Sequence, residues 1–358
     1  LHHADGILKS AQERAARVFG AEESFFLVNG STVGILSAIL GSTNRGDKVL
    51  VARHCHKSIY HAIFMNELQP VYLYPQFSSE LQMNTEISVS AVKTALKEHS
   101  DIAAVVIVSP TYEGVISDVE AIAEAVHEKG IPLIVDQAHG AHFGFYPYFE
   151  ENANKMGADA VIQSLHKTLP SLTQTAILHM NGTIVNRKKI KRYLDMLQSS
   201  SPSYILMASI DACVDMLEQK GGELFEEYTV HLEELWSKAS GLKRLRLLES
   251  EHFDRSKIVV SVQNADITSK ELYRILLEEY HLQMEMVGGT YVLALSSVGD
   301  TKEGLERLAA ALQNIDADID ERMTRLGTET PGREGTALPR TACVFTSAQI
   351  AQMREEQE

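Results

Sequence analysis

The sequence predicts an α/β fold, with a large domain built on a mostly parallel sheet and a smaller α+β domain after it. Three observations carry the prediction. Continuous apolar runs, Ala103-Ala-Val-Val-Ile-Val108 and Ile131-Pro-Leu-Ile-Val135 among them, have the pattern of strands covered on both faces. They alternate with stretches that follow the roughly 3.6-residue period of helices, as strand–helix–strand crossovers require. After the paired glycines Gly221 and Gly222 the pattern changes to strand, helix, strand pair and helix. The expected division is a large domain over residues 1–220 and a small domain over 221–315. A linker and the start of a further segment are expected over 316–358.

Composition narrows the function. With 358 residues, 44% of them hydrophobic and 23% charged, the chain is long enough for two sizeable cores. A formal charge of -15 argues against nucleic acid and anionic membrane surfaces as partners, because both select basic patches. Three cysteines, Cys55, Cys213 and Cys343, are too few and too scattered for a disulfide framework, which fits the cytoplasm. No apolar run approaches the roughly 20 residues that span a bilayer. The chain begins at Leu1 rather than methionine, so a preceding segment is expected.

Taken in order, residues 6–19 place Ile7, Leu8, Ala11, Ala15 and Val18 on one helical face, with Asp5 at the capping position. Residues 24–28 read as a buried strand that runs into Asn29-Gly30-Ser31-Thr32 and an apolar helix through Leu40. That order aims free N–H groups and the positive end of the helix dipole at whatever sits above the turn. A phosphate and an ordinary Ser or Thr cap both satisfy it. The next strand, 48–52, leads into Arg53-His-Cys-His-Lys-Ser58 and a helix to about residue 67. His54, Cys55 and His56 alternate along an extended segment without a second cluster, so no metal site is expected. A histidine leaving that strand can instead lie flat on an aromatic ring. Residues 70–74 form a strand, 90–98 a helix, and 103–108 a strand that opens into the loop Ser109-Pro-Thr-Tyr-Glu-Gly114. Asp118 caps a helix over 119–129.

The run Gly130-Ile-Pro-Leu-Ile-Val-Asp136 then stops at a carboxylate. Such a group at the end of a core strand is unfavourable unless paired, and in a doubly wound sheet that edge is where ligands bind. A helix cap or a salt bridge would also account for it. After one more expected helix, Val161-Ile-Gln-Ser-Leu-His-Lys-Thr168 runs from a buried strand into a polar tip bearing Ser164, His166 and Lys167. A lysine in that setting suits a desolvated amine, which forms Schiff bases with carbonyls, pyridoxal phosphate foremost. A solvated strand-end lysine competes with this reading of the segment alone.

Residues 174–179 read as the last strand of the sheet, followed by helices over 187–197, 204–219 and 223–239, the last two separated at the paired glycines. The small domain is expected to hold strands at 257–262, 281–286 and 291–295 and helices at 269–279 and 302–314. Within it, Glu285 reads as an edge residue. From Asp316 to Arg340 the polar composition suggests a linker, and 347–358 a helix.

The segments Gly30-Ser31-Thr32, His54-Cys-His-Lys-Ser58, Ser109-Pro-Thr-Tyr-Glu-Gly114, Asp136-Gln-Ala-His-Gly-Ala-His142, Gln163-Ser-Leu-His-Lys-Thr168 and Ser199-Ser-Ser-Pro-Ser-Tyr204 occur in that order. Together they resemble the pyridoxal-phosphate-dependent ornithine/lysine/arginine decarboxylases of the aspartate aminotransferase fold, fold type I, over roughly residues 1–315. The resemblance implies decarboxylation of a basic amino acid, arginine before lysine or ornithine, with pyridoxal 5'-phosphate held as a Schiff base on Lys167. It implies that Asp136 pairs with the pyridine nitrogen, that His56 stacks on the ring, and that Ala138 lies beneath it, with His139 also at the cofactor. Gly30, Ser31, Thr32, Ser164 and His166 are the implied phosphate contacts. Glu285, taking the distal cation, and Thr111 are the implied substrate contacts. His166 and Lys167 are both candidates for the acid that returns a proton to the α-carbon. A homodimer or larger homo-oligomer is implied as well.

Two departures from the family pattern stand out. Gln137 occupies a place where glutamate is usual, and both an N-terminal segment with a glycine-histidine-lysine motif and a longer C-terminal domain are expected beyond this chain's ends. Other readings are another fold-type I enzyme, such as an aminotransferase or lyase, and a non-catalytic binding subunit. An aminotransferase would be expected to show an arginine clamp late in the chain, which is not apparent. The presence of both Lys167 and Asp136 argues against the binding subunit.

Overall fold

Leu133-Ile-Val-Asp136 is the central strand of a seven-stranded sheet in the computed structural model, which describes residues 1–326 apart from His3. In chain order, α1 (Gly6–Val18) leads to β1 (Glu23–Leu27), α2 (Gly30–Ser42), β2 (Lys48–Ala52), α3 (Lys57–Met65) and β3 (Gln69–Leu73). A small hairpin, β4 (Phe77–Ser78) and β5 (Met83–Asn84), precedes α4 (Val89–Glu98), β6 (Ile102–Val108), α5 (Val119–His127) and β7 (Leu133–Asp136). Next come β8 (Ala160–Ser164), the short α6 (Leu165–Thr168), β9 (Ala176–Met180), α7 (Arg187–Leu197) and α8 (Tyr204–Ala239). The chain continues through β10 (Arg246–Leu248), β11 (Lys257–Ser261), α9 (Ser269–Glu278), β12 (Met286–Val287), β13 (Tyr291–Leu295) and α10 (Lys302–Leu326).

The larger sheet has the order β1-β9-β8-β7-β6-β2-β3. All its neighbouring pairs are parallel except the two made by β9, which is antiparallel to both β8 and β1. Every strand but β9 therefore delivers its C-terminal end to the same edge. β7, β8 and β9 are buried at every position, and their mostly apolar sequences suit this, with Asp136, Gln163, Ser164 and His179 as the polar exceptions. Burying each Val, Leu or Ile contributes about 1.5–3 kcal/mol. Side chains of α2, α3 and α7 fill one face of the sheet, and those of α4 and α5 the other. The second sheet, β10-β11-β13-β12, is antiparallel, and α8 and α10 join its core to that of the larger sheet.

Four expectations are corrected. The paired glycines do not end a helix: α8 runs unbroken for 36 residues, and the expected boundary at residue 220 lies inside it. A mid-helix glycine is less favourable than alanine by about 1 kcal/mol, but Leu217 before the pair and Phe225, Tyr228, Leu232 and Leu235 after it are all buried in one core. Residues 316–326 are helix rather than linker, because Ile315, Ile319 and Met323 continue a buried stripe. The Asp316 carboxylate also accepts from the N–H groups of Lys243 (2.9 Å), Arg244 (2.8 Å) and Leu245 (2.7 Å). The rest of the expected linker and the helix at 347–358 lie outside the described residues. Finally, the connection from β7 to β8 is built of turns instead of a helix, and the strand expected at 281–286 shrinks to β12. Among the described residues no helix is long and apolar enough to cross a membrane.

Candidate active site

The parallel register puts the turns after β1, β2, β6, β7 and β8 on one edge, and five of the six polar motifs fall on those turns; the sixth, residues 199–204, joins α7 to α8. Asp136 closes β7 with only 3% of its surface exposed. Its Oδ1 accepts the Ala138 N–H at 3.1 Å. Burial pushes its carboxyl up to about 6, against the opposing pull of Lys167 and the Ala138 N–H. Such a carboxyl favours a cationic partner at its free side.

After β8 the chain turns at once into α6, so Lys167 sits on a helical turn instead of a strand tip. Its Nζ lies 2.9 Å from His139 Nε2. Burial lowers the amine below its ordinary value; Asp136 opposes the shift, Lys257 reinforces it, and Glu285 opposes it. His139 is buried, and burial together with Lys167 holds its ring neutral. A neutral ring that accepts at Nε2 carries its proton on Nδ1, and that buried atom has no partner among the described residues.

Three further observations bear on whether these residues fit pyridoxal phosphate. Ser164 is fully buried, yet its Oγ has no hydrogen-bond partner among the described residues, and Thr168 Oγ1 shares that condition. Buried hydroxyls left unpaired are rare unless something else satisfies them. Asn29 stands at the N-cap of α2 but makes no side-chain cap bond; its Oδ1 instead accepts from the Ser199 N–H at 3.0 Å. Gly30 adopts φ +76°, with open space where a Cβ would stand, and Ser31 and Thr32 form the uncapped first turn. Carboxylate, amine, orphan hydroxyls and a free helix N-terminus together fit a phosphorylated pyridine aldehyde.

The remaining expected residues divide. His56 is the N-cap of α3, exposed, and its Nδ1 accepts the Ser58 N–H; Lys167 is among the charges that lower its proton affinity, after burial. The His166 Nδ1 lies 2.9 Å from the Thr175 carbonyl, which takes its proton and leaves Nε2 unassigned. Ala138 is buried beside Asp136. Glu285 lies exposed just before β12, and its carboxylate accepts from the Tyr112 hydroxyl. Thr111 is buried, and its Oγ1 accepts the Val115 N–H at 3.1 Å, so it shapes its own turn.

Gln137 has a structural explanation. Its Oε1 accepts from Gln163 Nε2 at 2.7 Å, Gln163 Oε1 meets His179 Nε2 at 3.0 Å, and His179 Nδ1 meets Ser24 Oγ at 2.7 Å. These four buried side chains form a neutral chain across β8, β9 and β1. Sequence reasoning gave no role to Tyr112, whose ring lies 4.5 Å from that of His139. It also missed Asp254 and Lys257, both fully buried. The available signal was a pair of opposite charges three residues apart at the entry of an apolar strand.

A family description, Orn/Lys/Arg decarboxylase, major domain, matches residues 1–299. An arginine decarboxylase of Bacillus cereus is 34% identical over 330 residues, covering 90% of this chain and 72% of that protein. The solved lysine decarboxylase of Francisella novicida superposes with a TM-score of 0.77 at 20% identity, over 88% of this chain and 52% of that one. A structure described as SPT with PLP superposes with a TM-score of 0.69 at 16% identity, over 87% of this chain and 77% of that one. The two structural likenesses show the fold, and the chain spans about half the length of the solved lysine decarboxylase.

Proposed function

We propose that this chain, which belongs to the Orn/Lys/Arg decarboxylase family, binds pyridoxal 5'-phosphate through the Lys167 amine and removes carbon dioxide from a basic amino acid, arginine first. One observation carries the reading: a buried, underpaired Asp136 and a desolvated Lys167 leave neighbouring parallel strands at the same edge. When bound, the cofactor supplies an electron sink for the bond that breaks at the substrate's α-carbon.

The chain's own residues divide the remaining work. Asp136 supplies the anionic partner that keeps a proton on the pyridine nitrogen. Ala138, with only a methyl side chain, and His56, the N-cap of α3, would hold the cofactor ring. The N–H groups at the start of α2, with Ser31, Thr32 and Ser164, would hold the phosphate, and Gly30 would let the backbone approach it. Burial favours the uncharged, nucleophilic form of Lys167, and His139 Nε2 orients the amine. Tyr112 holds the Glu285 carboxylate, which takes the substrate's distal cation. Lys167, and His166 when Nε2 carries a second proton beside the Nδ1–H held by the Thr175 carbonyl, are the two donors available to return a proton to the α-carbon. The same reading takes the part of the chain built on the larger sheet as the cofactor-binding domain, the working form as a homodimer or larger homo-oligomer, and the location as cytoplasmic.

The test is direct. Purified protein with cofactor is given arginine, lysine or ornithine, and released carbon dioxide and amine are measured beside Lys167→Ala. Arginine turnover that disappears in the variant is expected. Cofactor-loaded protein that decarboxylates none of the three overturns the proposal.

A further inference from the structure

Asp254 and Lys257 lie at the entry of β11, and neither side chain is exposed at all. The Lys257 Nζ stands 3.4 Å from one Asp254 oxygen and 3.5 Å from Ser256 Oγ. His142 Nε2 reaches the other Asp254 oxygen at 3.3 Å. Burial alone would raise the Asp254 carboxyl, but His142 and Lys257 pull it below its ordinary value; burial in turn lowers the proton affinity of both Lys257 and His142, with Asp254 opposing. A buried pair of this kind is weak as a source of stability, since well-packed apolar residues often do as well. Its contacts point elsewhere.

Gly114 holds φ +105°, and a Cβ there would stand 2.8 Å from Lys257 Cγ, so the turn after β6 rests on the lysine stem. The Asp254 N–H donates to Gly114 O at 2.8 Å, Ile116 N–H donates to His252 O at 3.1 Å, and Val115 bridges Phe253. That turn carries Tyr112, which bonds Glu285 and packs on His139. His142 belongs to the turn after β7, the one that also carries His139 and its bond to Lys167.

We propose that Asp254 and Lys257, together with His142, are positioning residues for the Lys167 site: they lock the turn bearing Tyr112 and the turn bearing His139 onto the smaller sheet, and so set both rings beside the reactive amine. The charged and titratable groups around that amine are Asp136, His139, His56, Glu285 and Lys257. Lys257 is the cation among them that arrives from the smaller sheet, and its charge disfavours protonation of Lys167. The inference rests on the decarboxylase reading for its kinetics but not for the state of the amine.

Lys257→Met keeps the stem and removes the charge. Asp254→Asn combined with Lys257→Met removes both charges and covers the case in which the single variant does not fold. In cofactor-free protein, acetylation of Lys167 followed by mass spectrometry across a pH series reports the amine directly. In either folded variant the labelling profile is expected to move to higher pH, and in loaded enzyme the KM for the basic amino acid to rise about tenfold or more, as displaced positioning groups cause. A Lys167 labelling profile that stays in place overturns the proposal, whatever happens to KM. Loss of folding in both variants overturns it too, by assigning the pair to stability alone. If wild-type protein decarboxylates no basic amino acid, the functional reading fails, and the labelling profile still decides the positioning role.

Discussion

Lys167 Nζ and His139 Nε2 stand 2.9 Å apart, so the reactive amine is hydrogen-bonded to a neutral imidazole while the Asp136 carboxylate acts on it through its charge. The carboxylate is thereby left free for a different cation, and the amine is held without the ion pair that would keep it protonated.

Asp136→Asn should stabilise the cofactor-free protein while weakening its hold on the cofactor. The native carboxyl titrates at about 6, above its ordinary 3.8, so the folded state binds more protons between those values. Stability therefore falls as pH rises through that window, and the penalty is fully present above it. Removing the charge should recover about 1–3 kcal/mol near neutral pH. Thermal midpoints of the two proteins at about pH 8 check this, and equal midpoints count against it.

Glu285→Gln should raise the KM for the basic substrate by about tenfold to a hundredfold, the effect of losing a charged hydrogen-bond partner of about 1.5–3 kcal/mol. Tyr112→Phe should raise it less, because the carboxylate remains and loses only its recorded donor. Steady-state kinetics on the preferred amino acid distinguish these variants, and an unchanged KM in Glu285→Gln would move the substrate's distal end elsewhere.

Gln137→Glu should destabilise the fold by about 1–3 kcal/mol or more, since a carboxylate cannot supply its place without charge in a fully buried chain. Gln163 can still donate to the new oxygen, but the charge lies beside Asp136 with no added cation among the described residues. Denaturant unfolding near neutral pH measures the loss. A variant as stable as the parent would show that the neutral chain is not what selects glutamine.

Acid should destabilise the protein partly through His179. Burial lowers this histidine from 6.5 to about 3, so it stays neutral in the folded state while the unfolded state gains a proton. Its contribution is complete above about 6.5 and is lost progressively as pH falls towards about 3. His179→Gln should flatten stability over that window, as read from urea midpoints across a pH series. A slope identical to the parent's would assign acid sensitivity to other groups.

Much of this site was legible in the sequence because its signals are local. A strand that ends in aspartate, a strand that ends near lysine and a glycine turn at a helix start each announce themselves within a few residues. The α/β class followed from runs buried on both faces, which β6, β7 and β8 confirm. Two boundaries were misread for the same reason: paired glycines and polar composition are local cues, and both were overridden by the buried stripes of α8 and α10.

By itself, then, the sequence determined which groups stand at the strand ends, since periodicity and turn chemistry are written along the chain. Only the tertiary structure decided what those groups touch. Placing β9 between β1 and β8 sets Ser24, His179, Gln163 and Gln137 in one hydrogen-bonded line. Folding the smaller sheet back onto the turns after β6 and β7 brings Lys257 against Gly114 and Asp254 against His142, on the turns that carry Tyr112 and His139, more than a hundred residues away along the chain. Contacts of that separation depend on packing between elements, and no short stretch of sequence encodes them.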